Sequence, residues 1–547
     1  MADSIDDKQK ISAVLADILN AKQCSEHLRG LKTFTSALKD AEYRDAVGED
    51  VFSDLLKVLI RLLEGLQSVS ESGDDDARPP ALQLQLTAEC FRSQRNSCVQ
   101  SPRNQKLLRE LGFIGISLKL LSFLQTLNLE TKDALYEPLR CGIQFLGNLA
   151  VGNQMSKDEV WRLSFPDILL QLLCIDDEKV VNYTSMVLHT CLDEAKVEDL
   201  SKPQNIKLAL KVMELCRTQP DLDWTVLMAT QHFLKSSALV ENMYSGMSHH
   251  DRVTLLELLL AQLREEGSEG GGVPPSVAHF LASSFQKDCG AVLTLATGSA
   301  SSNEVLQEAL TVISLLDVLC EMTSDHKQFM FLQDHPNLLE TTVELLEQVH
   351  AIGKASRNIF SATQNFSPFT GEEDPASDSP VVNFKAHLIR LIGNLCHGNT
   401  SNQNKVRELD GIPLILDNCN IDSNNPFISQ WAIFAIRNLL ENNQQNQELV
   451  AAVERRGPVD HSALRELGFL VEERDGSLLF KTEESRAERG RSGKRKTLQR
   501  RKEMWAYRVL PWTFSIATSP HRTLRFILDG RFQSLQSSFR LRKPETG

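Results

Sequence analysis

The 547-residue sequence is short of almost everything that catalysis or membrane insertion requires. No apolar run approaches the roughly 20 residues that cross a bilayer: Lys57 and Arg61 break the leucine-rich stretch at 54–63, and Glu257 breaks the one at 253–263. Strand-like alternation is nearly absent. Aromatic residues supply only 6% of the chain, so any core must be built from aliphatic side chains. The eleven cysteines include no Cys-x-x-Cys and show no framework spacing, which excludes a disulfide scaffold. An acidic start, Met1-Ala2-Asp3-Ser4-Ile5-Asp6-Asp7, lacks the apolar stretch of a secretory leader, so the expectation is a soluble cytoplasmic protein with reduced thiols. His-Glu-x-x-His, P-loop, Gly-x-Ser-x-Gly and dinucleotide fingerprints are all missing. His249 and His250 are adjacent, diverge on a helix and have no third ligand at suitable spacing. Cys396, between His387 and His397, lies on an apolar helical face and reads as packing. The expectation is a protein that is not an enzyme and holds no metal or cofactor.

What the chain does have is a repeated phrase. An Arg or aromatic residue stands four before an Asn, and Asn-Gln follows eight residues later: Arg92, Asn96, Asn104-Gln105; Arg390, Asn394, Asn402-Gln403; Phe434, Asn438, Asn446-Gln447. A worn copy is Gly147-Asn148-Leu149. Helical units recurring at about 40 to 47 residues mark HEAT and armadillo arrays, whose units bury their apolar faces only by stacking. The fold class expected is all-α, a right-handed superhelical armadillo/HEAT-like array, with a small β-hairpin near the C-terminal end where Asp475-Gly476 separates two apolar runs.

Composition divides the chain into N-terminal helices and an acidic loop over 1–80, helical repeats over 81–264, a Gly/Pro loop over 265–275, repeats over 276–360, an acidic linker over 361–381, a regular C-terminal domain over 382–481 and a tail over 482–547. Within the C-terminal domain, Gly398 stops one helix, Ser401 or Asn402 is placed to cap the next, and Pro413 sits just inside the start of a third. The segment after Lys481 carries 16 Lys/Arg against 6 Asp/Glu, leaving 43 against 66 and a net of about −23 on the rest. The body therefore repels nucleic acid, and only the basic, low-order tail, with Lys494-Arg495-Lys496 and Arg500-Arg501-Lys502, offers it a weak attachment.

Two readings of the repeated Asn follow from its chemistry. It bridges backbone groups where units meet, or Arg92, Asn96, Asn148, Arg390, Asn394 and Asn438 line a groove that takes an acidic or extended partner segment. Transport receptors of the importin-α type place Trp four residues before the Asn, whereas this chain has Arg92, Gln144, Arg390 and Phe434, which counts against binding of basic nuclear signals. Ser101, Ser367 and Ser379 each precede Pro and are candidate phosphorylation sites.

The stretch 384–450 resembles the C-terminal domain of the ataxin-10 family through Leu388-Ile389-Arg390-Leu391-Ile392-Gly393-Asn394-Leu395-Cys396, Glu408-Leu409-Asp410-Gly411-Ile412-Pro413 and Gln430-Trp431-Ala432-Ile433-Phe434. Earlier phrases such as Glu89-Cys90-Phe91-Arg92 extend the resemblance to about 11–481, and the tail departs from it. The resemblance implies a scaffold or adaptor, cytoplasmic and perinuclear, at centrosomes or basal bodies and the midbody, linked to cytokinesis, neurite outgrowth through Ras-MAP kinase signalling and neuron survival. It also implies a G-protein β subunit and the O-linked N-acetylglucosamine transferase as partners, and self-association into a homo-oligomer.

Overall fold

The computed structural model describes residues 11–19, 25–71, 81–127, 133–264, 272–295, 303–324, 328–355, 360, 381–419, 422, 424–454, 469–474 and 477–482. Among them the chain is helical apart from turns and one pair of strands. Its contacts separate two compact units, one of Met1–Leu259 with Ser268–Val277 and one of Leu260–Gly267 with Ala278–Gly547.

The first unit is built from helix triplets: Pro102–Glu110, Phe113–Thr126, Asp133–Ala150; Gln154–Ser164, Asp167–Leu173, Glu178–Cys191; Glu194–Ser201, Ile206–Thr218, Asp223–Gln231. The third helix of each triplet packs against the third helix of the next, beginning with Ala81–Ser97. Position in this layer explains composition. Ala81–Ser97 buries Leu84 and Phe91 on one side and Leu86 and Cys90 on the opposite side, so it shows little amphipathic pattern although it is regular helix. Phe113 and Phe145, both fully buried, meet edge to face at 6.3 Å and join the second and third helices of one triplet.

The second unit repeats the plan in Leu338–Ala355, Phe384–Cys396, Thr400–Glu408, Gly411–Asp417 and Ile428–Leu440, with Asn303–Met322, Phe384–Cys396 and Ile428–Leu440 as its third-helix layer. Turns are set by local chemistry. Gly398 takes φ 63°, the left-handed conformation that ends the helix before it. The cap of the following helix is Asn399, not Ser401 or Asn402, because extended Asn399 accepts from the Asn402 amide at 3.1 Å and the helix begins at Thr400. Asp177 and Asp193 cap their helices in the same way, accepting from Val180 and Lys196, each such cap contributing about 1 kcal/mol. Phe469–Arg474 and Ser477–Thr482 pair antiparallel, Phe469 opposite Thr482 and Arg474 opposite Ser477. Residues 475 and 476, the acidic segments 72–80 and 361–380, most of the Gly/Pro loop and the tail from 483 lie outside the described residues.

Candidate partner-binding face

The repeated phrase is a two-way lacing between consecutive units. Three glutamines reach forward. Gln105 Nε2 donates to the carbonyls of Asn148 and Val151, both at 2.8 Å. Gln333 donates to Asn394 at 3.3 Å and His397 at 2.8 Å, and Gln403 to Asn438 at 2.8 Å and Glu441 at 3.4 Å. Across each unit boundary the acceptors are the next ladder asparagine and the residue three beyond it. Asparagines reach back: Asn148 Nδ2 donates to the Arg95 carbonyl at 3.1 Å and Asn438 to that of Gly393 at 2.9 Å, in each case the residue before the preceding ladder asparagine. Asn96 reaches Thr35 at 3.1 Å, and Asn394 reaches the Cys320 carbonyl at 3.2 Å and the Thr323 hydroxyl at 2.9 Å. Asn104, Asn402 and Asn446 close their own chain seven residues back, on the carbonyls of Ser97, Leu395 and Leu439.

The physical demand behind this is simple. The last carbonyls of a helix have no partner within it, and here many are buried between units. A hydrogen bond contributes on the order of 1 kcal/mol, whereas a buried bare acceptor costs about 1–3 kcal/mol. Of the six residues expected to line a groove, the asparagines therefore have their amide donors committed to backbone: Asn96, Asn394 and Asn438 are buried and Asn148 half-buried. Arg92 and Arg390 keep part of their surface, as Asn148 does.

Arg92 donates to Glu89 at 2.8 Å and is also paired with Glu137 on the next third helix. Beside it Arg95 donates to Gln144 Oε1 at 2.6 Å and to Asn96 Oδ1 at 3.1 Å. One unit on, Arg140 forks onto Asp177, with Nε to Oδ1 at 2.9 Å, and its bond holds that carboxyl below the ordinary range. Between these helices lies a cavity of about 360 Å³ whose walls include Arg95, Arg140, Cys141, Lys179 and Tyr183. Burial pushes the Cys141 thiol up, with Arg92 and Arg95 pulling the other way.

In the second unit the equivalent arginine has different company. Arg390 lies under the Trp431 ring, 4.9 Å from its centroid, with Ser324 Oγ at 2.8 Å and Glu321 at 3.4 Å. Trp431 in turn meets Phe434 edge-on at 5.8 Å, and Phe427, one turn earlier, is 60% exposed. The spacing Phe427, Trp431, Phe434, Asn438 puts all four on one helical face.

Sequence reasoning found Arg92 and Arg390 but not Arg95, Glu137, Arg140, Lys179, Tyr183 or Gln333. The available signal was the equivalence of Arg95 with the glycines at 147 and 393, one residue before the ladder asparagine, where the next helix comes closest. Gln333 lacks the preceding Asn that marks Gln105 and Gln403. One candidate modification site is corrected: Ser101 is 2% exposed and its hydroxyl donates to Asp45 at 2.6 Å, so the folded chain does not present it to a kinase. Ser367 and Ser379 lie outside the described residues.

At Cys396 and Cys320 the surroundings do not favour a nucleophile. Cys396 is fully buried and burial raises its thiol; Cys320 is likewise pushed up to about 12, with its Sγ on the His387 carbonyl and not on an imidazole. Among the described residues no three His, Cys, Asp or Glu side chains are grouped to hold a metal ion, and no helix is long and apolar enough to cross a membrane.

Comparison with known proteins gives a consistent result. Residues 384–481 match the family model described as the spinocerebellar ataxia type 10 protein domain. Ataxin-10 of Xenopus tropicalis is 43% identical over 449 residues, covering 81% of this chain and 90% of that protein. Human ataxin-10 is 40% identical over 461 residues, 84% of this chain and 94% of that one. The ataxin-10 homolog of Dictyostelium discoideum is 44% identical over 105 residues, 19% of this chain and 17% of that one. Among solved structures an engineered protein aligns over 79% of this chain and 98% of its own at 12% identity and a TM-score of 0.34, too remote to bear on fold or function.

Proposed function

Because the chain belongs to the ataxin-10 family, we propose that it is a non-catalytic adaptor that holds an extended segment of a partner protein along the solvent face of its third helices. The observation that carries this reading is the division of labour in the ladder. Asparagine and glutamine amides are spent on unit-to-unit lacing, while Arg92, Arg95 and Arg140 face a cavity between consecutive helices. A partner segment rich in carboxylate or phosphate suits that face, since guanidinium groups receive either in fork geometry.

The family resemblance supplies the partners to try first, a G-protein β subunit and the O-linked N-acetylglucosamine transferase, and the setting: cytoplasmic and perinuclear, at the centrosome and midbody, in cytokinesis, neurite outgrowth and neuron survival. A receptor for basic transport signals is less well supported, because Arg92, Arg390 and Phe434 stand where such receptors place tryptophan walls.

The test is co-precipitation of both named partners with the full chain and with the double substitution Arg92→Ala and Arg140→Ala, melting temperature being measured alongside. We expect a fold that persists and a loss of about tenfold in captured partner, the scale of a charge-assisted contact. Capture of both partners at the unsubstituted level by a folded variant would remove this face from the function.

A further inference from the structure

We propose that the cavity between helices Ala81–Ser97, Asp133–Ala150 and Glu178–Cys191 is an oxyanion pocket, in which Arg95, Lys179 and Tyr183 receive a single phosphoryl or carboxylate group projecting from an extended partner peptide. The proposal rests on the adaptor reading and deepens it by naming the chemistry of the ligand.

Four features carry the assignment. The cavity of about 360 Å³ lies at the small end of ligand sites, suited to one or two side chains. Its walls hold four cations, Arg92, Arg95, Arg140 and Lys179, and Arg92 and Arg140 are already matched by Glu89, Glu137 and Asp177, so the positive charge left to an incoming anion is that of Arg95 and Lys179. The three guanidinium groups are not equivalent. Arg92 and Arg140 bind carboxylates, but the bonds of Arg95 go to the neutral amide oxygens of Gln144 and Asn96. An ionised acceptor makes a bond roughly twice as strong as a neutral one, so an incoming oxyanion gains by displacing Gln144. Finally, Lys179 is exposed and Tyr183 half-buried, both on helix Glu178–Cys191 and both lining the cavity, so an ammonium and a phenol O–H border the same space as Arg95.

Glu137 sets the selectivity. It is 49% exposed and pairs with Arg92, an ion pair that contributes little where water screens it. A dianionic phosphate competes with it for Arg92 more effectively than a single carboxylate does.

The experiment measures fluorescence anisotropy of the full chain with three fluorescein-labelled Gly/Ala peptides that differ at one central position: serine, glutamate or phosphoserine. Phosphoserine is expected to bind and serine not, with affinity falling as salt rises; binding of glutamate as well identifies carboxylate as a second source of the same contact. Arg95→Gln and Lys179→Glu should each weaken binding about tenfold, and Tyr183→Phe about threefold. Glu137→Gln should tighten it, a gain that a damaged fold does not produce. Equal binding of the serine peptide, no binding of any peptide, unchanged affinity in Arg95→Gln and Lys179→Glu, or weakened affinity in Glu137→Gln each overturns the pocket. If the peptides fail while the family-implied partners are still captured and lost with the Arg92 and Arg140 double variant, the adaptor reading stands and only the pocket falls.

Discussion

A side-chain amide is a short, uncharged group that donates and accepts, which is why Asn and Gln recur where unit meets unit. Gln403 accepts from Asn443 at 3.2 Å while donating to the Asn438 carbonyl, so one residue serves two chains of bonds. Arginine at such a position keeps its charge and needs a partner: Arg92 has carboxylates, and Arg390 has Glu321 together with the face of Trp431. Histidine adds a dependence on pH. His232 sits 5.6 Å from His189, centroid to centroid, and burial first, His189 next, lower its pKa to about 4; burial lowers His189 too. In the unfolded chain a histidine takes up its proton near 6.5. Between about 6.5 and 4 the unfolded state therefore binds more protons than the folded one, so stability falls as pH drops through that window and levels off below it. Replacing His232 with Asn should flatten the pH dependence of the denaturation midpoint between pH 7 and 4. An unchanged slope would mean that His232 titrates normally in the fold.

At the scale of the element, the helix triplets were legible because aliphatic periodicity, Gly398 and the Asn-Gln spacing all act locally. The position of the cap was not, since Asn399, Ser401 and Asn402 are all good caps and only the conformation after Gly398 chooses among them. Nor were Arg95, Lys179 and Tyr183, which come together only when three helices 40 or so residues apart pack side by side. The same close packing explains the glycine before the ladder asparagine, and the two copies differ in how much they tolerate. A Cβ on Gly393 would stand 2.9 Å from the Phe434 ring and 3.0 Å from the Ala435 Cα, a backbone atom that cannot step aside. A Cβ on Gly147 would meet the Met186 terminal methyl at 2.6 Å, the end of a flexible side chain. Gly393→Ala should therefore cost about 1–3 kcal/mol, whereas Gly147→Ala should be close to neutral, because alanine's better helix propensity offsets the shift of Met186. Urea unfolding of both variants checks the contrast, and equal losses would show that the approach at Gly393 relaxes.

For the whole molecule, lacing of this kind makes stability a sum over nearest neighbours, since each amide couples one unit only to the unit before or after it. The chain nonetheless divides into two compact units, so its unfolding is not bound to be one all-or-none event. The ladder supplies a probe for each. Asn148 and its acceptor Arg95 lie in the first unit, Asn438 and its acceptor Gly393 in the second. Replacing either asparagine with alanine leaves a helix-end carbonyl without its donor, at a cost of about 1–3 kcal/mol, or a shift of a few degrees in melting for a unit of this size. Calorimetry of the full chain should resolve two transitions, with Asn148→Ala lowering one and Asn438→Ala the other. Movement of a single shared transition by both substitutions would show that the two units unfold as one, and that the lacing is cooperative along the entire chain.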